Sequence, residues 1–489
     1  MRNRRDFFKL SAVTISALAV PPSLFGESSA FSDYKALVVI YNAGGNDGFN
    51  MFIPSGDDSV RGYSNYAKAR ENIKVENQEL SLTLNDTQVD LSAGNPYSEN
   101  NNLSKSYRKG FYKHQNMDIA TNALMPEIAH LVNEGKVAIV TNIGNLIEPA
   151  TKEELKAKTK TKPPFLFAHN HQSKLAMTGE ASMLNYSGWG GRLFDNWIDV
   201  NGGDIYGMNI SVGREEHIFY GDKTKGLKIS YNGPTSYKKI NRELYDQLLQ
   251  TNDDNMFRTL YKELQKHSFD MQDIIVDDWE NNSPTFTSTN AYGDALFSEP
   301  TNEQLQQSKP TLTDTSLIKN LKGVAKLAYI GKNRGLKRQI FFVHDGGYDT
   351  HNNQSIQHAR KLRGLSLGIG DFMKALKEMG MEDEVTTFNI SDFGRSIGEN
   401  GDGTDHAWGN NSFVVGGAVT GGLYGTLPNL TLGGEDDIGK KGRLIPTTSM
   451  SQYYGTIVKW FGADDATLQL IVPELKNFSV TDLGFMKNS

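Results

Sequence analysis

Five short apolar runs, separated by longer stretches of mixed character, organise this chain. Lys35 to Ala43, with the core Leu37-Val38-Val39-Ile40-Tyr41, shows no polar alternation and predicts a strand buried on both faces. Lys136 to Ile143, Arg338 to Val343, Glu384 to Ile390 and Phe413 to Val415 read the same way. Helical spacing fills the intervals at Leu124 to Glu134, at Leu317 to Ile330 and from His358 to Met379, where Gly380 supplies the stop. Gly188-Trp189-Gly190-Gly191-Arg192 reads as a turn entering another helix. This succession predicts an α/β fold, a doubly wound and mostly parallel sheet flanked by helices. The length of 489 residues alone would fit two or three domains. Large α/β folds often run as one domain, and one domain over 31–489 is expected.

Two stretches interrupt the alternation. Residues 55–116 turn polar and rich in Asn, Ser and Tyr, which predicts an insertion at the sheet edge or over the cleft. Residues 202–310 offer helical segments at Ile240 to Leu249 and Met256 to His267, which predicts a second insertion acting as a cap or substrate subdomain. Five lysines between Lys152 and Lys162 are interleaved with Glu153 and Glu154 and read as a solvated connection.

The N-terminus changes the picture of where the protein works. Asn3-Arg4-Arg5-Asp6-Phe7-Phe8-Lys9 precedes a moderately apolar stretch from Leu10 to Phe25, the pattern of a twin-arginine export signal. That stretch, diluted by Thr14, Ser16 and Pro21-Pro22, is shorter than the roughly 20 residues that span a bilayer. Ser28 and Ala30 predict cleavage after Ala30, so the expected signal peptide is 1–30 and the expected location periplasmic or secreted. No later run is apolar enough for stable membrane insertion, and the export machinery is the expected partner. The leader carries Arg2, Arg4, Arg5 and Lys9 against Asp6 and Glu27, so its loss takes the net charge from −6 to −8. That acidity argues against nucleic-acid binding. Cysteine is absent, which removes disulfides, thiolate ligands and cysteine nucleophiles and leaves oxygen and imidazole to hold any metal.

Candidate chemistry gathers in Gly44-Gly45-Asn46-Asp47-Gly48, Gly346-Gly347-Tyr348-Asp349-Thr350-His351, Ser391-Asp392-Phe393-Gly394-Arg395 and Thr404-Asp405-His406-Ala407-Trp408-Gly409. The first three follow expected strands, where ligands of open α/β sheets bind. Four carboxylates and two imidazoles match the needs of a hydrolytic metal site, with Zn or Mn favoured over Mg or Ca by the imidazoles. The competing reading is structural: Asp in Gly-rich turns also caps helices and fixes loops. His169 and His171, two apart in an expected extended segment, would point the same way, so that either could face the cleft and touch a metal or substrate, and His169 is the further candidate ligand.

The order of these motifs, with the leader, the His169 segment followed by Thr178-Gly179, and Thr-Asp-His-Ala-Trp-Gly-Asn, resembles the exported bacterial proteins of the domain of unknown function 1501 family. That family is similar in turn to the alkaline phosphatase and sulfatase superfamily. The resemblance implies an alkaline phosphatase-like fold and a two-metal Asp/His site. Asp47 and Asp392 would bind one metal, Asp349 and His351 the other, and His406 with Asp405 beside it would complete the site. Arg395 would hold a substrate oxyanion through its planar fork. The superfamily's Ser or Thr nucleophile has no convincing counterpart here; Ser173 and Thr350 are the candidates, with metal-activated water as the alternative attacker. The implied function is an exported metal-dependent hydrolase of phosphate or sulfate esters, on a small-molecule or polymer substrate. The alternative is a non-catalytic exported binding or assembly protein that keeps the fold.

Overall fold

The first apolar run sits where its composition demands, at the centre of a sheet with cover on both sides: its first eight residues are all buried. The computed structural model describes residues 31–84, 89–90, 107–234, 243–244, 247, 255–301 and 316–487. The expected leader, part of the Asn-rich stretch and most of the helix expected over 240–249 lie outside those residues. The central sheet comprises β1 (Lys35–Ala43), β2 (Val137–Gly144), β3 (Asn209–Val212), β4 (Leu227–Ile229), β5 (Arg338–Gly346), β6 (Val385–Ser391), β7 (Asn410–Val415), β8 (Gly422–Tyr424) and β9 (Thr448–Ser449). Its order is β8-β2-β7-β6-β1-β5-β3-β4, with β9 also paired to β2. Every pairing is parallel except those of β7, which runs antiparallel to both β6 and β2. This is the mostly parallel, helix-flanked sheet that the sequence predicts.

The helices packed on it are α1 (Pro126–Asn133), α2 (His169–Thr178), α3 (Trp189–Asn196), α4 (Ser316–Asn333), α5 (Gln354–Glu378) and α6 (Met450–Phe461). Alternation along β1 assigns the faces. Ala36, Val38 and Ile40 join Leu321, Val324, Leu365 and Phe372 on the side of α1, α4 and α5. Leu37, Val39 and Tyr41 join Trp189, Leu193, Tyr454 and Ile457 on the side of α2, α3 and α6. Among the described residues no helix is long and apolar enough to cross a membrane.

The structure departs from the sequence reading at 202–310. That stretch is not only a helical cap: it supplies β3 and β4, the edge strands beyond β5. With four and three residues, these strands are too short to show a period. The polar stretch after β1 builds a lobe beside the strand ends, where Phe52–Pro54, Ile119–Asn122 and Phe111–Lys113 form a small antiparallel sheet. Arg70 straps this lobe down. Its guanidinium donates to Asp47 at 2.7 and 2.9 Å, to Asn50 at 2.7 Å and to the carbonyls of Ser396 and Ile397, and both members of the Arg70–Asp47 pair are fully buried.

A second buried pair, Arg363 with Glu127 at 2.6 Å, ties α5 to α1. Near it Asp371 accepts the backbone N–H of Phe297 at 2.8 Å, and burial pushes its carboxyl up to about 7. The unfolded carboxyl titrates near 4, so the folded state holds the extra proton between pH 4 and 7. The native state is therefore increasingly penalised as pH rises through that window. Asp371→Asn keeps an acceptor for Phe297 and is expected to raise the thermal midpoint at pH 8, with the gain vanishing below pH 4. Asp47→Asn, which leaves Arg70 buried without its counter-ion, is expected to destabilise by about 3–5 kcal/mol in chemical denaturation.

Candidate functional site

The site forms where β1, β5 and β6 end side by side, with Asn42 opposite both Asp345 and Ser391. Beyond them Gly44 and Gly45 turn at φ of +116° and +79°. A Cβ on Gly44 would stand 2.5 Å from the Asp349 nitrogen, and one on Gly45 would stand 2.6 Å from the Phe393 ring. Glycine therefore lets the loops after β5 and β6 close against this turn. The hairpin Arg395–Glu399 with Thr404–His406 sets Arg395 directly across from His406. On the other side of the cleft α2 begins at His169.

These segments bring imidazoles together around one carboxylate oxygen. His169 Nε2 lies 3.0 Å from His406 Nε2, and Asp349 Oδ1 is 3.5 Å from the first and 3.4 Å from the second. His351 Nε2 approaches His406 Nε2 at 2.8 Å and Asp349 Oδ1 at 3.2 Å. Behind each ring stands an acceptor. Asp392 Oδ2 lies 2.7 Å from His169 Nδ1, the Phe167 carbonyl 2.9 Å from His406 Nδ1, and Asp405 Oδ1 3.7 Å from His351 Nδ1. A carbonyl only accepts, so the Nδ1 of His406 carries its hydrogen and its neutral ring presents a lone pair at Nε2. Phe393, buried beside both, lies 4.7 Å from the His169 and His406 rings and packs against each.

Electrostatics follow from these partners. The Asp392 hydrogen bond raises the pKa of His169, whereas burial lowers that of His406. Burial works against ionisation of Asp349, but the hydrogen bond and charge of Arg395 outweigh it and hold the carboxyl below its usual range.

The expected site residues divide accordingly. His169, Asp349 and His406 each offer one ligand atom, all within 4.8 Å of one another, with His351 alongside. Asp392 is not offered to this group: it accepts from His169, from the Tyr41 hydroxyl at 2.7 Å and from the Gly44 N–H at 3.0 Å, which makes it the anchor of His169. Asp405 stands behind His351, bonded to Asn400 and Lys441. Asp47 is held in the interior by Arg70 and by Gln354 at 2.5 Å, and lies outside the group. Arg395 is 1% exposed and faces backbone carbonyls and Asp349 rather than open cleft. Thr350 is fully buried against Gln354, a poor place for a nucleophile. Ser173, one helical turn from His169, hydrogen-bonds the Tyr41 hydroxyl. His169 and His171 do not point the same way, because their segment is helical and not extended. The 200° between positions i and i+2 sends His171 outward to stack on Phe165 at 4.1 Å.

Tyr41, Phe167, Phe393, Gln354 and Arg70 escaped the sequence reading. Tyr41 ends a core strand and looks like any core aromatic, and Phe167 acts through its carbonyl, which no side-chain pattern reports. Phe393 stood inside a motif but without a titratable group.

The donor set fits a metal ion. Tetrahedral bonds of 2.0–2.1 Å place ligand atoms about 3.3 Å apart, and the His169, His406 and Asp349 atoms already lie 3.0 to 3.5 Å apart. Imidazoles oriented from behind by a carboxylate or carbonyl are the usual arrangement around such ions.

No curated protein sequence matches the chain. Among solved structures it is similar to a protein in the alkaline phosphatase superfamily from Vibrio parahaemolyticus, at 10% identity and a TM-score of 0.35, covering 96% of this chain and 78% of that one. It is also similar to the PsFucS1 sulfatase from Pseudoalteromonas sp., at 11% identity, 98% and 77% coverage and a TM-score of 0.31. A third is the phosphonate monoester hydrolase SpPMH from Silicibacter pomeroyi, at 10% identity, 70% and 69% coverage and a TM-score of 0.31. Likeness at this level says nothing of substrate. A family model described as protein of unknown function, DUF1501, matches residues 34–465, and the chain belongs to that family.

Proposed function

We propose that this protein is an exported, metal-dependent hydrolase of phosphate or sulfate esters. One observation carries the reading: His169 and His406 aim Nε2 atoms at each other across 3.0 Å beside the Asp349 carboxylate, while their Nδ1 atoms are engaged elsewhere. Two lone pairs at that distance repel unless a proton or a cation lies between them, and the carboxylate and third imidazole favour a divalent cation such as Zn or Mn. Bound there, that ion would act as a Lewis acid toward a phosphate or sulfate oxygen. His169, Asp349 and His406 are its proposed ligands, with His351 as the fourth. Asp392 and Tyr41 hold the His169 ring in place, and Phe393 prevents it and His406 from turning away. Asp349 and His351 are 49% and 42% exposed at their side chains, so the cluster is open to a large ester as well as a small one. The leader motif supports delivery by the twin-arginine route to the periplasm or beyond.

Metal analysis of chain recovered without chelators tests the centre. About one Zn or Mn per chain is expected, lost in a His169→Ala, His406→Ala double variant that keeps its fold. Asp392→Asn is expected to weaken metal affinity about 10–100-fold, through loss of ring orientation. Hydrolysis of an aryl phosphate or aryl sulfate should disappear with the metal. Chain with no stoichiometric metal, or turnover that survives the double variant, would sink the proposal and favour a binding or assembly role. Replacing Arg4 and Arg5 by Lys is expected to retain the protein in the cytoplasm, read by fractionation; undiminished export would remove the twin-arginine assignment.

A further inference from the structure

Arg395 has surroundings unlike those of a substrate clamp. Five oxygens ring its guanidinium: Nε donates to Gly45 O at 2.8 Å, Nη1 to Thr404 O at 3.0 Å, and Nη2 to Gly44 O at 2.5 Å, to Tyr348 O at 3.2 Å and to Asp349 Oδ1. Four carbonyls and one carboxylate, drawn from the turn after β1, the loop after β5 and the hairpin, make the all-oxygen set that hard cations take. Converging carbonyl dipoles without a positive charge among them would repel one another. The Asp349 oxygen in this ring is also the one beside His169, His351 and His406. One carboxylate oxygen therefore lies between a guanidinium and the imidazole cluster.

We propose that the ring beside Asp349 is a cation site and that Arg395 is its permanent occupant. A guanidinium is a fixed positive charge. It thus supplies one of the two positive charges of the centre from the chain itself, and its charge excludes a second ion from the adjoining position. Arg395 is in this sense a positioning residue: it holds the Asp349 oxygen toward the imidazoles and tempers its negative charge. The count of exchangeable ions rests on the metal reading above; the occupancy of the oxygen ring does not.

The test uses Arg395→Ala in the full chain. Adding guanidinium chloride to about 5 mM is expected to raise the thermal midpoint of the variant by about 2 °C and to leave the wild type unmoved. A folded variant that does not respond overturns the proposal. In calorimetric titration with Mn²⁺ the wild type is expected to take no more than one ion, and the variant one more than the wild type. Two ions on the wild type, or equal counts on both, overturn it. Zero ions on the wild type and one on the variant, with rescue by guanidinium, would remove the hydrolase reading and leave the cation site standing. If the alanine variant folds neither with nor without guanidinium, Arg395→Lys and Arg395→Met decide. The lysine variant is expected to fold and the neutral one to fail, and equal behaviour of the two overturns the proposal.

Discussion

The site depends on one atom, Oδ1 of Asp349, held by the Arg395 guanidinium on one side and bordered by three imidazole nitrogens on the other. The loops around it are arranged to keep this concentration of polar atoms in register. Glycines at 44 and 45 let the turn after β1 pack against Tyr348, Asp349 and Phe393 without side chains in the way. The hairpin pairs Arg395 with His406, so the strongest permanent charge and the central imidazole move as one unit. Asp392 and the Phe167 carbonyl engage the rear nitrogens of two rings, so that their front nitrogens face each other, Asp349 and, for His406, the Nε2 of His351. Hydrogen bonding within the chain satisfies the rear of the cluster and leaves imidazole nitrogens facing one another beside a carboxylate oxygen at its front.

Much of the fold was legible because its strands are buried on both faces. Runs such as Leu37 to Tyr41 and Ile340 to Val343 have no polar alternation, and that composition implies a parallel sheet with helices on each side. The same logic failed for β3 and β4, whose few residues at the sheet edge are set by pairing with β5 and not by any pattern of their own. It could not show that β7 runs against its neighbours, since an apolar run carries no direction. For the site, the structure brings together the strand ends that the motifs mark and the histidines at 169, 351 and 406. Their partners come from residues distant in sequence: Asp392 is 223 residues from His169, and the Phe167 carbonyl is 239 residues from His406. The His169 segment was misread as extended because its apolar residues, Leu175, Ala176 and Met177, fall only in its second half.

Four carboxylates of like appearance in Gly-rich motifs have four different fates, and what separates them is the cation or donor each meets. Asp47 meets Arg70 inside the protein, where both its oxygens accept from the guanidinium and its side chain is fully buried. Asp392 meets one imidazole N–H, one phenol and one backbone N–H, and becomes an orienting group. Asp405, on the rim, meets Asn400 and Lys441. Asp349 alone is shared between a fixed positive charge and a cluster of lone pairs. A buried carboxylate must be neutralised or hydrogen-bonded, so whether it can serve a metal depends on how many donors the fold has already brought to it. Motif order marks where acidic residues lie, whereas the arginines that decide among them, at 70 and 395, lie 23 and 46 residues away from the carboxylates they hold. Which carboxylate a site of this kind can offer to a cation therefore follows from the cations and donors around it in three dimensions, and here it is Asp349 that keeps Oδ1 beside His169 and His406.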